Sequence, residues 1–293
     1  MSTKKRVVMP LPNVDFDPTE VCVSWEYLHS AGYEVVFATE NGDRAYADPI
    51  MISGEGLDPW GFIPGLKKLV LFGRLLRARK SAREAYLTLQ QNDAFLNPLK
   101  YSHLKVDEFD GLLLAGGHAP GMRQYLESTD LQSFIADFFH SDGPHSSHKP
   151  VGAICHGVLM AARSKSKETG LSVLYGRKTT ALTWSQEKAA QLLTLFLRFW
   201  DPFYYRTYRE SEEEPMGYCS VESEIRRALK DDQDFVLVPT DAPDYRLKTN
   251  GIARDTPDDS RPSWVVRDGN YVSARWPGDV HAFIREYTST FDG

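Results

Sequence analysis

Hydrophobic positions in this chain fall into short blocks with two different periods. Arg6 to Pro10 (RVVMP) holds an unbroken apolar run from Val7, Thr19 to Ser30 puts Val21, Trp25 and Leu28 on one helical face, and Glu34 to Ala38 holds another run from Val35. Unbroken runs suit strands covered on both faces, and spacings of three and four suit helices packed over them. The order predicts a strand, a helix ended by Gly32, and a second strand, the first half of an α/β unit.

The pattern then repeats. Gly111 to Ala115 (GLLLA) predicts a strand, Asp130 to Ser141 a helix, Val151 to Ile154 (VGAI) a strand, and the residues from about Gly157 another helix. Phe235 to Val238 (FVLV) predicts one more buried strand. Trp264 to Arg267 and Tyr271 to Ala274 flank Asp268-Gly269-Asn270 and predict a hairpin, with Pro277 to Tyr287 as a closing helix. The expected fold is α/β, a doubly wound, mostly parallel sheet.

Two stretches break the alternation and are expected to be insertions, at about 48–103 and 186–229, in a single domain spanning 1–293. The first holds Lys67 to Arg83, a basic amphipathic run that predicts a helix packed over a sheet edge. The second holds FLRFWDPFYYRTY followed by acidic ESEEE, a patch suited to core filling, a pocket wall or a dimer interface.

Composition narrows the function classes. Of the 293 residues, 42% are hydrophobic and 25% charged, the balance of a soluble globular protein. No run reaches the roughly 18 apolar residues of a membrane helix, and MSTKKR leads straight into a strand, so neither a membrane span nor a secretory signal is expected. A net charge of -6 argues against nucleic acid as a partner. Cys22, Cys155 and Cys219 lack metal-ligand spacing, which leads us to expect free thiols, no metal and a reducing, cytoplasmic setting.

The chemistry concentrates in VGAICHGV, Val151 to Val158, where a buried strand meets a cysteine and then a helix. A cysteine on such a turn stands above the strand ends, and the helix N-terminus favours its thiolate, so Cys155 is expected to be acidic and reactive. His156 adds a titratable group, while Gly152 and Gly157 permit close packing; Cys22 and Cys219 lack this setting and are expected to be structural. A second glycine-rich strand end, AGGHAPG from Ala115 to Gly121, makes the N–H groups of Gly117 and His156 a candidate oxyanion hole.

These residues resemble the ThiJ/PfpI superfamily, whose fold is flavodoxin-like, of the class I glutamine amidotransferase type. AICHG resembles its nucleophile elbow, AGGHAPG its oxyanion loop, and TEVCVSWEYLHSAGYEVVFAT its first helix and second strand. The resemblance gives Glu20 the role of a protonated carboxyl that hydrogen-bonds the cysteine sulfur. NDAFLNPLKYSHLKVDEFDGLLLAGGHAP and GRKTTALTWSQE look most like the heat-shock chaperone branch with glyoxalase III activity. By that likeness Glu187 is the acidic third member of a Cys155, His156, Glu187 triad, with His118 and Glu222 as further pocket residues.

The resemblance implies a cofactor-independent enzyme converting methylglyoxal to lactate. Its relatives also imply amidase, protease-like or isonitrile hydratase chemistry with the same sulfur, or a non-enzymatic holding chaperone or cysteine redox sensor. Family members are commonly homodimers, so a homodimer is expected.

Overall fold

The computed structural model of the protein describes residues 4–140 and 149–292. Its strands are β1 (Arg6–Pro10), β2 (Val14–Phe16), β3 (Glu34–Thr39), β4 (Tyr46–Ala47), β5 (Leu99–Lys100), β6 (Gly111–Leu114), β7 (Val151–Ile154), β8 (Val265–Asp268) and β9 (Tyr271–Ala274). Among the described residues, one seven-stranded sheet runs β5-β3-β1-β6-β7-β9-β8, and only the β8–β9 hairpin is antiparallel. β2 and β4 form a separate parallel pair. Chain order reverses between β1 and β6, and a parallel sheet opens a crevice outside its strand ends at such a point.

The helices are α1 (Pro18–Ser30), α2 (Pro49–Ser53), α3 (Lys80–Leu89), α4 (Asp93–Leu96), α5 (Met122–Glu127), α6 (Thr129–Phe139), α7 (His156–Arg163), α8 (Trp184–Leu197), α9 (Val221–Ala228), α10 (Tyr245–Thr249) and α11 (Val280–Ser289). α1 packs with α3 and α11, and α7 packs with α5, α6 and α9, giving two helical layers around the sheet. Asp17 starts α1 by accepting the N–H groups of Thr19 and Glu20, with Pro18 in the first turn, and Gly32 at φ +88° follows its end. Every residue of β6 and β7 is buried, as their unbroken apolar runs require.

Two expected elements are absent. Phe235 to Val238 forms no strand: Phe235 makes a single parallel bridge with Thr179, outside the sheet. Leu237 faces solvent and Pro239 has no N–H to extend the pairing. Lys67 to Arg83 is not one helix either. The Asp58 carboxylate accepts the N–H groups of Leu71, Phe72 and Gly73, wrapping the chain around one side chain; only a short 3-10 turn, Phe72–Leu75, precedes α3. Gly73 lies so close to Gly54 that a Cβ there would stand 2.3 Å from the Gly54 carbonyl oxygen. The end of the expected helix to Ser141 lies outside the described residues. No helix of the described residues is long and apolar enough to cross a membrane.

Candidate active site

β7 ends at Ile154 and α7 begins at His156, so the single residue between them makes the whole turn. Cys155 does this at φ 56°, ψ −122°, a backbone region that strongly disfavours non-glycine residues. The strain is held by packing on both sides. A Cβ on Gly157 would lie 2.0 Å from the Leu114 carbonyl oxygen, and one on Gly116 would lie 2.6 Å from the His156 nitrogen. α7 can press onto the end of β6 only with glycine at these places.

Cys155 Sγ stands 3.4 Å from His156 Nδ1, and His156 Nε2 stands 3.0 Å from Thr207 Oγ1. Thr207 donates its one hydroxyl hydrogen to the His118 carbonyl, at 2.7 Å. Its oxygen must therefore accept from His156, which puts the imidazole proton on Nε2 and leaves an Nδ1 lone pair facing the sulfur. Sequence reading missed Thr207. It sits in the aromatic patch, and its only signal is that it is a small hydroxyl among large rings.

Glu20 is fully buried beside the cysteine. Its Oε2 accepts the Gly116 N–H at 2.7 Å, and the Cys155 side chain lies within reach of the carboxyl. Burial pushes this carboxyl well above its ordinary value, and neighbouring Asp17 adds to the effect, which favours the protonated form. Burial also pushes the Cys155 thiol up, with Glu20 and Asp17 next in effect, while the His156 N–H acts in the opposite direction. Burial holds His156 down to about 3. These directions favour an uncharged carboxyl, thiol and imidazole at rest, against the acidic cysteine expected from the helix N-terminus alone. Desolvation here exceeds the pull of the helix.

The Gly117 N–H makes no hydrogen bond among the described residues, and the His156 N–H is directed at Cys155. A Cβ on Gly117 would stand 2.4 Å from the Asp15 carbonyl oxygen, which fixes glycine in this loop. His118 lines the same cavity, its ring stacked on Tyr205 at 4.0 Å, and burial holds it down to about 3.

Glu187 is buried but does not reach His156. Its carboxylate accepts the Val221 N–H at 3.0 Å and pairs with Arg206 at 3.4 Å, so the buried guanidinium, and not the imidazole, claims it. Glu222 lies outside the Cys155 cavity. It accepts the Trp184 N–H at 2.8 Å, pairs with Arg226 at 2.9 Å, and lines a neighbouring hollow with Gln186 and Arg275. Cys22 is buried in the core, and Cys219 is half-buried beside Glu214; both are free thiols.

The cavity over Cys155 has a volume of about 200 Å³ and mostly apolar walls, among them Leu182, Leu193 and Pro277. Arg254 also lines it, in a loop anchored on both flanks. Asp255 accepts the N–H groups of His281 and Ala282 at the start of α11. The buried Arg275–Asp279 pair, 2.7 Å apart, holds the carbonyls of Lys248 and Pro262.

Comparison with known proteins agrees with this architecture. A protein of Schizosaccharomyces pombe is 24% identical over 161 residues, 54% of this chain and 54% of that protein, so the match spans about half of either. Among solved structures, the Francisella tularensis Rapid Encystment Protein superposes with a TM-score of 0.54 at 14% identity, covering 98% of both chains. Glyoxalase III from Candida albicans does so with a TM-score of 0.53 at 16% identity, covering 98% of this chain and 97% of its own. At these identities the likeness speaks for the fold. A family profile described as ThiJ/PfpI family-like matches residues 11–216, which carry β1's last neighbours, α1, the Gly116-Gly117 loop, the elbow and Thr207. By that match the chain belongs to the ThiJ/PfpI-like family.

Proposed function

We propose that the protein is a cofactor-independent enzyme converting small 2-oxoaldehydes to 2-hydroxy acids, methylglyoxal to lactate in the simplest case. The observation that carries this reading is the proton arrangement: a thiol facing an unprotonated Nδ1, next to two amide donors and a buried carboxyl pushed toward its protonated form. Such a site stores no charge at rest and makes the nucleophile only as the substrate is attacked.

The Cys155 sulfur adds to the aldehyde carbon while its proton passes to His156 Nδ1. The Gly117 and His156 N–H groups hold the oxyanion until that proton reaches it, giving a hemithioacetal. Nδ1, neutral again, takes the hydrogen from the former aldehyde carbon and returns it to the adjacent one through an enediol. A thioester results, and water releases the hydroxy acid and restores the thiol. One water enters, and the aldehyde carbon is oxidised as its neighbour is reduced. Glu20, in its protonated form, offers the sulfur a donor without adding charge.

The test is lactate formation from methylglyoxal without glutathione, comparing wild type with Cys155→Ser. Wild type is expected to form lactate and the variant to lose at least about 100-fold in kcat. No lactate from wild type, or equal rates, would sink the reading.

A further inference from the structure

Five buried side-chain atoms on residues lining the Cys155 cavity have no partner of hydrogen-bond geometry: Glu20 Oε1, His118 Nε2 and three N–H donors, Arg254 Nη1, Gln186 Nε2 and Trp276 Nε1. Of the three donors, Gln186 also lines the neighbouring hollow. The oxygen of Gln186 is engaged by the Thr183 hydroxyl at 3.0 Å, which leaves the amide nitrogen as the free end. Arg254 lies over the Trp276 ring, 5.3 Å from its centroid, and no carboxylate among the described residues comes within ion-pair distance of it. Buried donors are almost always satisfied in folded proteins, so three orphan donors on residues that line one hollow point to a group that arrives with the ligand.

The chemistry of that group follows from the set. All three atoms donate and none accepts, and one belongs to a guanidinium that stays charged in proteins and whose planar fork matches a carboxylate. Asp17 and Glu20 lie near enough to act on it electrostatically, but neither forms an ion pair with it: Asp17 Oδ1 accepts the Thr19 and Glu20 N–H groups at the head of α1, and Glu20 Oε2 accepts the Gly116 N–H.

We propose that the substrate carries a carboxylate as well as the reacting carbonyl, and that Arg254, with Gln186 and Trp276, binds it. This rests on the carbonyl chemistry proposed above and names its substrate class: a short 2-oxoaldehyde with a terminal carboxylate. For 4,5-dioxopentanoate the same steps add one water and yield 2-hydroxyglutarate, with no outside oxidant or reductant. Leu182 and Leu193 give the same cavity an apolar wall suited to the short methylene chain.

Two arms separate this idea from the activity itself. In the binding arm, calorimetry compares levulinate, an unreactive keto acid, with pentan-2-one, its neutral counterpart. Wild type is expected to bind levulinate at least about tenfold more tightly, and Arg254→Gln to bring the two to near parity, with Arg254→Lys between. In the turnover arm, kcat/KM for 4,5-dioxopentanoate should exceed that for methylglyoxal by at least about tenfold in wild type, with the ratio collapsing in Arg254→Gln. Equal binding of the two ketones by wild type overturns the proposal, as does a ratio that Arg254→Gln leaves intact. If Arg254→Gln does not fold, the wild-type comparison decides alone. Charge-selective binding without any turnover would refute the reaction and leave the carboxylate site standing; turnover without selectivity would do the reverse.

Discussion

A hydroxyl has one hydrogen to give, and at Thr207 that fact sets the state of the whole residue cluster. Because the hydrogen goes to the His118 carbonyl, His156 must present its proton on Nε2 and its lone pair to the sulfur. Thr207→Val keeps the shape and removes both bonds. We expect kcat to fall about 10- to 100-fold with KM nearly unchanged, and stability to fall by about 1–3 kcal/mol for the stranded polar groups. Thr207→Ser should restore most of both, and steady-state kinetics with urea titrations would show it; a Val variant as active as wild type would remove Thr207 from the site. Cys155, His156 and Gly117 are legible because each sits in or near a strand-to-helix turn with a readable local pattern, whereas Glu20 is named only through the resemblance to the ThiJ/PfpI superfamily. Thr207 reaches the imidazole across a sequence separation of 51, and nothing local announces such a contact. Glu187 had the right residue type in the right region, but Arg206, from the same unreadable patch, takes its carboxylate.

At the scale of elements, the elbow depends on how closely α7 approaches β6. Gly157→Ala would place a Cβ 2.0 Å from a backbone oxygen, which cannot give way as a flexible side chain would. A loss of about 1–3 kcal/mol in urea unfolding is expected, with activity falling further because the Cys155 turn shifts with the helix. A variant of unchanged midpoint and activity would mean that the two backbones are not held in register. The buried strands were legible because a strand covered on both faces admits no polar exception, so GLLL and VGAI stand out. FVLV has the same composition but a lone bridge to Thr179, and pairing is a property of both partners. The stretch around Lys67 failed for another reason: the Asp58 carboxylate offers its backbone N–H groups a better set of acceptors than a helix would.

Over the whole molecule, two buried carboxyls tie stability to pH. Burial pushes Glu187 up to about 7 from 4.5, and Asp255 up to about 7 from 3.8. Both hold protons more tightly in the folded than in the unfolded chain. Their contribution is therefore complete below about pH 4 and is lost as pH rises through about 7. For Glu187 the change is on the order of 3 kcal/mol. Thermal melts at pH 5 and pH 8 should show wild type losing more stability than Glu187→Gln, which keeps an acceptor for the Val221 N–H but does not titrate. An identical loss in both proteins would contradict the assignment.

The stretch 186–229 roofs the cavity with Tyr205 and also contributes Thr207. Exchanging that stretch would change what the cavity admits, while the turn between β7 and α7 would keep Cys155 in place. Such an exchange has one constraint. A replacement roof that lacks a hydroxyl at the place of Thr207 would admit its new guest to a histidine free to turn its lone pair away from the sulfur. Diversification of this segment is therefore pinned at a single position, and a graft that ignores it should bind without reacting.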